Sequence, residues 1–242
     1  MSQDIVSQLA PGRTLRAGIN MANILLVTGS KSTGEPAGVA PDMASAIADR
    51  LGVSVSFVPF ASPGEMADAV GSDAWDIAFI AAEPTRAETI AFSAAYVEIE
   101  ATYLVPASSS IRFVEDVDRP GVRIAVSDRS AYDLYLTRTL KHAVLHRAKG
   151  PPGALDLFDN EELDALAGLR PWLNMKAENL PGARVLDGCY LTVQQAIGTK
   201  PENTSAAAFL EAFVAEAKET GLVAHLIERH GLTGRLQVAS SG

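Results

Sequence analysis

The chain has 242 residues, of which 48% are hydrophobic and 20% are charged, and this composition excludes the disordered and fibrous classes of protein. The formal net charge of −9 argues against a nucleic-acid partner and leaves no basic patch for a membrane surface. No apolar run reaches the ~18 residues of a membrane span, so no membrane insertion is expected. Cys189 is the single cysteine, which excludes an intrachain disulfide. The length allows one large domain or two small ones.

Strand and helix signals alternate along the first 80 residues. Short apolar runs predict strands at residues 15–19, 53–58 and 76–80. Pro41 is predicted to open a helix that Gly52 ends, because apolar residues recur there every four positions. Ser62-Pro-Gly-Glu65 has the sequence of a capping box with proline at the first helical position, so a second helix is expected to start there. These elements predict a βαβαβ unit with a parallel sheet.

One positive charge follows the third of these strands. Asp76 to Ile80 is followed by a polar turn, then by Arg86, and then by Phe92-Ser93-Ala-Ala-Tyr96. Arg86 is therefore expected just beyond the carboxyl end of a parallel strand, where open α/β sheets bind their ligands. A guanidinium in that place can hold a carboxylate through two parallel charge-assisted hydrogen bonds. A surface arginine after a loop is an equally good interpretation of this segment taken alone.

A second set of α/β elements follows Tyr96. Residues 96–105 and 122–126 are predicted to be extended, and Ser130 is predicted to start a helix that Leu140 and Ala143 continue. A short helix that leads into a strand of small residues is expected over 161–169, and residues 189–197 are again expected to be extended. The last 40 residues predict two helices, which Gly221 and Gly231 end.

Two similar α/β units and two extended crossings between them predict two lobes. The crossings are at 97–100 and 191–195. The first lobe is expected to be discontinuous, with residues 1–97 and 196–242, and the second to contain residues 98–195. Paired crossings of this kind act as hinges when a protein closes around a ligand.

Several motifs, in this order and spacing, resemble those of the bacterial extracellular solute-binding proteins, family 3. The resemblance is carried by Gly38-Val-Ala-Pro-Asp42, Trp75-Asp76-Ile-Ala, Thr85-Arg86 with Phe92-Ser93-Ala-Ala-Tyr96, Asp116 to Val126, and Ser130-Ala-Tyr-Asp133. It implies the two-lobed type II periplasmic-binding-protein fold, an α/β fold in which helices flank a mostly parallel sheet in each lobe and two strands form the hinge. It also implies a protein that closes on a small polar solute without catalytic residues, metal or cofactor.

The resemblance assigns a role to individual residues by position. Arg86 matches the arginine that clamps the carboxylate of the solute. Ser130 and Ala131 match the start of a helix in the second lobe, where free backbone N–H groups are expected to meet an anion. The remaining residues expected to line the cleft are Asn20, Ser62, Ala81, Ala82 and Tyr132.

Two departures from the family pattern argue against a standard α-amino acid as the solute. Gly168-Leu169 stands where amino-acid binders place an aspartate against the ligand ammonium, and Asn20 is neutral where they have an acid. Burying an ammonium without a carboxylate is costly, so a small anionic, carboxylate-bearing solute is predicted, or an amino-acid-like one whose amine is weakly held, in preference to a standard α-amino acid. Glu83 and Asp133 could still pair with an ammonium, although a helix cap and a solvated charge are the plainer interpretations of these two acids.

Other functions remain open at this point. In periplasmic relatives the partner is an ABC permease, whereas a cytosolic ligand sensor or buffer of the same fold is the rival interpretation. The family is also similar to cyclohexadienyl dehydratases, for which Glu83, Glu98 and Glu100 are the candidate acids. The first residues lack the features of a secretory signal, so the chain as it stands is expected in the cytosol, or in the periplasm if a signal was removed. A monomer is expected, and Trp75, Trp172 and Tyr190 are expected to be core residues.

Overall fold

A computed structural model describes residues 3–240 of the chain. The chain folds as two units, of which unit 1 contains Met1–Glu98 with Gln194–Gly242 and unit 2 contains Ile99–Val193. None of the helices in the described residues combines the length and the apolar composition that a membrane span needs.

The secondary structure alternates between strands and helices along most of the chain. The strands are β1 (Thr14–Asn20), β2 (Gly29–Ser30), β3 (Pro36–Ala37), β4 (Ser54–Phe60), β5 (Ile77–Ala81), β6 (Ala91–Phe92), β7 (Val97–Pro106), β8 (Arg123–Ser127), β9 (Val144–Ala148), β10 (Ala165–Leu169), β11 (Ala183–Val185), β12 (Leu191–Thr199) and β13 (Gln237–Val238). The α-helices are α1 (Gln3–Leu9), α2 (Val39–Leu51), α3 (Pro63–Asp68), α4 (Pro84–Ala87), α5 (Ala131–Thr139), α6 (Gly150–Asn160), α7 (Arg170–Ala177), α8 (Thr204–Glu219) and α9 (Leu222–Arg229).

The sheet of unit 1 has three neighbouring parallel strands. β1 lies between β4 and β5 and pairs in parallel with both, which confirms the predicted βαβαβ unit. The part of β12 that belongs to unit 1 runs antiparallel to β5. Because β1, β4 and β5 are parallel, their last residues lie at one edge of the sheet, called here the carboxyl edge of unit 1. These last residues are Asn20, Phe60 and Ala81.

Helix α2 shows how local signals determine an element of unit 1. Its residues Met43, Ile47 and Leu51 are buried, since they recur on the face that packs against β1 and β4. Gly52 ends the helix in the left-handed conformation, with φ 67°, as predicted. The helix begins two residues before Pro41, at Val39, because Gly38 adopts a φ of 148° that lets the chain turn into the helix.

The sheet of unit 2 is also mostly parallel. β8 lies between β9 and β10 and pairs in parallel with both, while β10 also pairs antiparallel with β7. The carboxyl ends of β8 and β10, at Ser127 and Leu169, therefore lie at one edge, called here the carboxyl edge of unit 2. Helices α6 and α7 cover this sheet with a buried cluster that includes Phe158, Leu166 and Trp172. Trp172 is thus a core residue, as predicted.

The predicted extension of helix α5 is wrong. The helix ends at Thr139, and Leu140 has extended backbone angles with ψ 140°. Ala143 precedes β9, and its N–H group donates to the carboxylate of Asp118 instead of continuing a helix. Leu140 and Ala143 lie in the connection between α5 and β9. Their spacing fits a helix by chance, because a single turn is too short to show a helical period reliably.

The short helix predicted at the start of residues 161–169 is also misplaced. Helix α6 spans Gly150–Asn160, and Glu161 is its C-terminal cap. Two prolines, Pro151 and Pro152, stand in its first turn, where N–H groups have no intrahelical acceptor and proline loses no hydrogen bond. The proline pair therefore marks the start of the helix, and the strand of small residues that was expected after it is β10.

Candidate functional site

The carboxyl edge of unit 1 collects the residues that the sequence placed in this lobe. Asn20 ends β1, and its side-chain oxygen accepts from the N–H of Ala22 at 3.1 Å, which holds the turn after the strand. Ala81 ends β5, and the N–H of Ala82 donates to the carbonyl of Gln194 at 2.9 Å. Ser62 follows β4 and caps α3, where its hydroxyl accepts from the N–H of Glu65 at 3.1 Å. The parallel pairing places Asn20 and Ala81 at one edge of the sheet, and Ser62 and Ala82 follow strands that end at this edge.

Arg86 is a buried cation at this edge. It lies in the single-turn helix α4 directly after β5 and is 5% exposed. Its Nη1 donates to the carbonyl oxygen of Ala81, the last residue of β5, at 2.9 Å. Burying a guanidinium costs free energy unless nearby groups compensate its charge. The carbonyl group of Ala81 is one such group, and its hydrogen bond holds Arg86 at the end of β5.

Glu83 is a helix cap, which was the plainer interpretation of this acid. It is the N-cap of α4, its carboxylate accepts from the N–H of Thr85 at 2.9 Å, and Pro84 occupies the first turn. Like Arg86, it makes a further interaction in this conformation. The cap explains why a buried acid stands in the turn after β5.

The Phe-Ser-x-x-Tyr motif fastens the next segment to β12. The hydroxyl of Ser93 accepts from the N–H of Ile197 at 3.1 Å and donates to the carbonyl of Ala94 at 2.8 Å. The backbone N–H of Tyr96 donates to the carbonyl of Gln195 at 2.9 Å. The motif is therefore structural, since it fixes the chain next to the strand that borders β5.

In unit 2 the start of helix α5 lies at the carboxyl edge, directly after β8. The hydroxyl of Ser130 accepts from the N–H of Asp133 at 3.1 Å, and the carboxylate of Asp133 accepts from the N–H of Arg129 at 2.8 Å. These two hydrogen bonds fix the first turn, and the N–H groups of Ala131 and Tyr132 have no acceptors inside the helix. The predicted helix start at Ser130 is confirmed.

Tyr132 is buried behind this helix start. Burial raises the pKa of its phenol to about 12, although hydrogen bonds to the side chains of Ser130 and Ser127 act in the opposite direction. The phenol therefore stays protonated at neutral pH. Through Ser130 and Ser127, Tyr132 ties the first turn of α5 to the end of β8.

Asp133 is not the solvated charge that was expected. It is 2% exposed, and its carboxylate pairs with Nε of Arg147 at 3.0 Å. The hydroxyl of Thr137 also lies near it, with an oxygen–oxygen distance of 3.4 Å. Arg147 comes from β9, fourteen residues later in the chain, so no local pattern around Asp133 could reveal the pair.

Four tyrosines of unit 2 lie near one another beside α5. The ring of Tyr190 lies between those of Tyr103 and Tyr135, with centroid distances of 4.5 Å and 6.1 Å. Together with Tyr132 these residues are called here the tyrosine cluster. They come from β7, from α5 and from the segment before β12, so only the fold brings them together.

The end of β10 carries no acid. A Cβ atom on Gly168 would lie 3.1 Å from Cδ2 of Leu173, so the packing of α7 on β10 favours glycine there. Arg170, the next charged residue, donates from Nε to Glu100 at 2.5 Å and from Nη1 to the carbonyl of Leu186 at 3.1 Å. Glu100 is thereby held in an ion pair inside unit 2.

The candidate acids of this chain each take part in the fold. Between residues 3 and 240 there is no group of three or more histidine, cysteine and acidic side chains that could hold a metal ion. Glu98, one of the candidate acids, accepts from the N–H of Ser240 at 2.8 Å. Each of the three candidate acids therefore has a structural hydrogen bond.

A family model identifies the family of this chain, and solved structures of known proteins share its fold. The family model described as bacterial extracellular solute-binding proteins, family 3, matches residues 16–233. The L-cysteine solute receptor of Neisseria gonorrhoeae is 17% identical, with a TM-score of 0.79 over 99% of this chain and 100% of that one. The amino acid ABC transporter substrate-binding protein AbpA from Streptococcus pneumoniae, bound to L-arginine, is 19% identical, with a TM-score of 0.75 over 92% and 96%.

A reconstructed protein has the same fold. The ancestral amino acid-binding protein AncCDT-1, a precursor of cyclohexadienyl dehydratase, is 21% identical, with a TM-score of 0.77 over 93% of this chain and 97% of that one. At such identities these likenesses show the fold alone, and no curated protein matches this chain in sequence. The family model covers most of the chain, and the chain therefore belongs to the bacterial extracellular solute-binding proteins, family 3, with their two-lobed type II periplasmic binding fold.

Proposed function

We propose that this protein closes on a small carboxylate-bearing solute and that Arg86 pairs with its carboxylate. The observation that carries the proposal is a guanidinium, 5% exposed, at the carboxyl edge of three parallel strands in a chain of a solute-binding family. The planar guanidinium has five N–H donors in a fork that fits a carboxylate. Asn20, Ser62, Ala81 and Ala82 line the same edge in this proposal.

Unit 2 contributes further donors in the same proposal. The first-turn N–H groups of Ala131 and Tyr132 have no acceptor within α5, and a helix start favours negative charge. Ser130 holds this turn in place, and Tyr132 supports it from behind. A group that binds there is therefore an acceptor of hydrogen bonds.

Amino acids are the competing class of solute, because two structures of this fold are described as binding L-arginine and L-cysteine. The three positions that could hold the ammonium of an amino acid argue against that class of solute. Asp133 is paired with Arg147, Glu83 caps α4, and the end of β10 offers Gly168 in place of an acid. A buried ammonium without a carboxylate partner costs several kcal/mol, which disfavours a standard α-amino acid.

In the same proposal the protein is a monomer without catalytic activity that delivers its solute to an ABC permease. Glu83, Glu98 and Glu100 all hold structural hydrogen bonds, so none of them is offered as a general acid. A sensor or buffer of the same fold would use the same binding residues, and co-purification with a permease separates these roles. Turnover of prephenate would contradict the non-catalytic assignment.

Calorimetry with two sets of solutes tests the proposed function. The first set contains succinate, glutarate and 2-oxoglutarate, and the second contains L-arginine, L-cysteine and L-glutamine. We expect a member of the first set to bind more tightly than every member of the second. Tight binding of an amino acid, with weak binding of all three acids, would refute the preference.

Variants of Arg86 test the clamp itself. Removing one partner of a buried, hydrogen-bonded charge pair costs about 2–5 kcal/mol, so Arg86→Met is expected to weaken binding by roughly 30-fold or more. Arg86→Lys keeps the positive charge but removes the forked N–H donors, so it tests whether the fork itself is needed. Thermal unfolding of each variant shows whether it still folds. The control is Arg50→Met, since Arg50 pairs with Glu216 on the surface of unit 1. Unchanged affinity in a folded Arg86→Met protein would remove Arg86 from the site.

A further inference from the structure

Two glutamates of β7 stand on either side of the place where the chain leaves unit 1. Unit 1 ends at Glu98 along the first crossing, and unit 2 begins at Ile99. Glu98 and Glu100 are two positions apart in the strand, so their side chains lie on one face of it. The other face, with Val97, Ile99 and Ala101, is buried. The two acids therefore face away from the core, one at the end of each unit.

Glu98 holds a segment of unit 1 that follows helix α9. Strand β13 pairs antiparallel with residues 97–98 of β7. The carboxylate of Glu98 accepts from the N–H of Ser240 at 2.8 Å, and the N–H of Ala239 donates to the carbonyl of Tyr96 at 3.1 Å. Residues 236–240 are called here the strap. Bending the chain at residues 96–98 would break these hydrogen bonds, so the strap keeps this stretch in unit 1.

The strap is itself well seated in unit 1. Leu236 and Ala239 are each 4% exposed, and the N–H of Leu236 donates to the carbonyl of Leu232 at 3.0 Å. On its other side, Tyr96 donates its N–H to the carbonyl of Gln195 at 2.9 Å. The start of the first crossing thus has backbone partners on both sides within unit 1.

Glu100 has the corresponding contacts inside unit 2. It accepts from Nε of Arg170 at 2.5 Å, and Nη1 of Arg170 donates to the carbonyl of Leu186 at 3.1 Å. The hydroxyl of Thr102 donates to the carbonyls of Leu186 and Gly188 at 3.2 Å and 3.0 Å. These contacts hold β7 from residue 100 onward to α7 and to the segment before β12.

We propose that Glu98 and Glu100 are positioning residues that confine the bending of the first crossing to Ile99. Glu98 and the strap hold the chain up to residue 98, Glu100 holds it from residue 100, and the side chain of Ile99 between them makes no hydrogen bond. The inference rests on the closure that the proposed function requires. A crossing that bends at one residue allows fewer arrangements of two units than a loose one, so less conformational freedom is lost when a solute binds.

Hydrogen exchange of the solute-free protein tests the two acids separately. Glu98→Ala removes the acceptor of the Ser240 N–H, so the strap should exchange about tenfold faster, while residues 186–190 should be unchanged. Glu100→Ala should speed exchange in residues 186–190 and not in the strap. Because the two acids are neighbours on one face of one strand, each variant is the matched control of the other. Glu98→Gln keeps an acceptor oxygen and should behave like the wild type.

A distance measurement tests the pivot at Ile99. Spin labels on Asp49→Cys in unit 1 and Ser108→Cys in unit 2, both exposed positions, report the distances between the units in a Cys189→Ser background. The distribution of distances in the solute-free protein should be broader in Glu98→Ala and in Glu100→Ala than in the labelled parent. Asp128→Ala, which replaces an exposed acid outside β7, should leave the distribution unchanged.

The two readouts separate a pivot from a merely structural contact. Faster exchange of the strap in Glu98→Ala with an unchanged distance distribution would overturn the inference, and so would unchanged exchange. Neither measurement uses a solute. Broader distributions in both variants, combined with failure of every carboxylic acid to bind the wild type, would therefore overturn the proposed solute and leave the pivot intact.

Discussion

Replacing Asp133 with asparagine separates a structural acid from an ammonium partner. The Asp133 carboxylate accepts from the N–H of Arg129 at 2.8 Å and from Nε of Arg147 at 3.0 Å, and it is almost completely buried. Asparagine has nearly the same shape but is neutral and has one acceptor oxygen. The variant therefore keeps the packing of α5 while removing the charge and one of the two acceptors.

The size of the effect follows from these contacts. A hydrogen bond to a charged group contributes about 1.5–3 kcal/mol. The Arg147 side chain is 40% exposed, so its contribution is discounted because water can solvate the freed guanidinium. An anion in the first turn of a helix adds about 0.3–1 kcal/mol. Asp133→Asn is therefore expected to lower the free energy of unfolding by about 2 kcal/mol.

Urea unfolding followed by circular dichroism measures this loss. Asp128→Asn is the control, since Asp128 is an exposed acid just before the same helix, and its replacement should cost less than about 0.5 kcal/mol. A loss for Asp133→Asn as small as that of the control would refute the structural role.

Asp133→Asn should not weaken the binding of an anionic solute, although it lowers the stability of the fold. Removing a negative charge near the start of α5 should leave the affinity for glutarate unchanged or raise it slightly. If Asp133 instead paired with a solute ammonium, the variant would selectively lose affinity for L-arginine or another amine. Calorimetry on both solutes distinguishes the two roles.

Two further predictions concern the frame of each unit. Gly38→Ala should lower the free energy of unfolding by about 3 kcal/mol or more, because a Cβ atom there would lie 2.3 Å from the carbonyl oxygen of Leu26 at a φ of 148°. Gly71 has open space around it, so Gly71→Ala is the control. Thermal unfolding should show almost no change for this control. Burial opposes ionisation of Asp118, but three backbone N–H donors outweigh it and lower its pKa. A lowered pKa stabilises the fold above the unfolded value of about 3.9, so this contribution should disappear as the pH falls below about 4. Urea midpoints from pH 7 to pH 3 should fall less steeply for Asp118→Asn than for the wild type, and parallel curves would contradict this reasoning.

The elements that the sequence predicts well are those whose signals are local. Ser62 and Ser130 are followed at the third position by an acid, and both cap the helices expected there. Gly52 ends α2 because only a residue that tolerates positive φ can stop a helix in this way. In each case the cause and the consequence lie within four residues of the chain.

The features that the sequence does not reveal depend on contacts between distant segments. The sequence predicts a solvated Asp133, because its partner Arg147 lies in β9 and comes close only through the pairing of β9 with β8. The place of Tyr190 between the rings of Tyr103 and Tyr135 is likewise determined only by the fold. Pairing and burial of single polar groups are tertiary properties, so periodicity carries no information about them.

The end of β10, where no acid is present, packs closely against α7 and the buried cluster of unit 2. A side chain at position 168 would meet Leu173 of α7 at 3.1 Å, and Leu169 packs against the buried cluster of unit 2. An aspartate at position 168 therefore requires the Leu173 side chain to shift by a few tenths of an ångström, and an aspartate at 169 removes apolar contact from that cluster. Each single substitution that introduces an acid here therefore changes the packing of unit 2. The preference that we propose, for a solute without a charged amine, is therefore linked to the way α7 packs on β10.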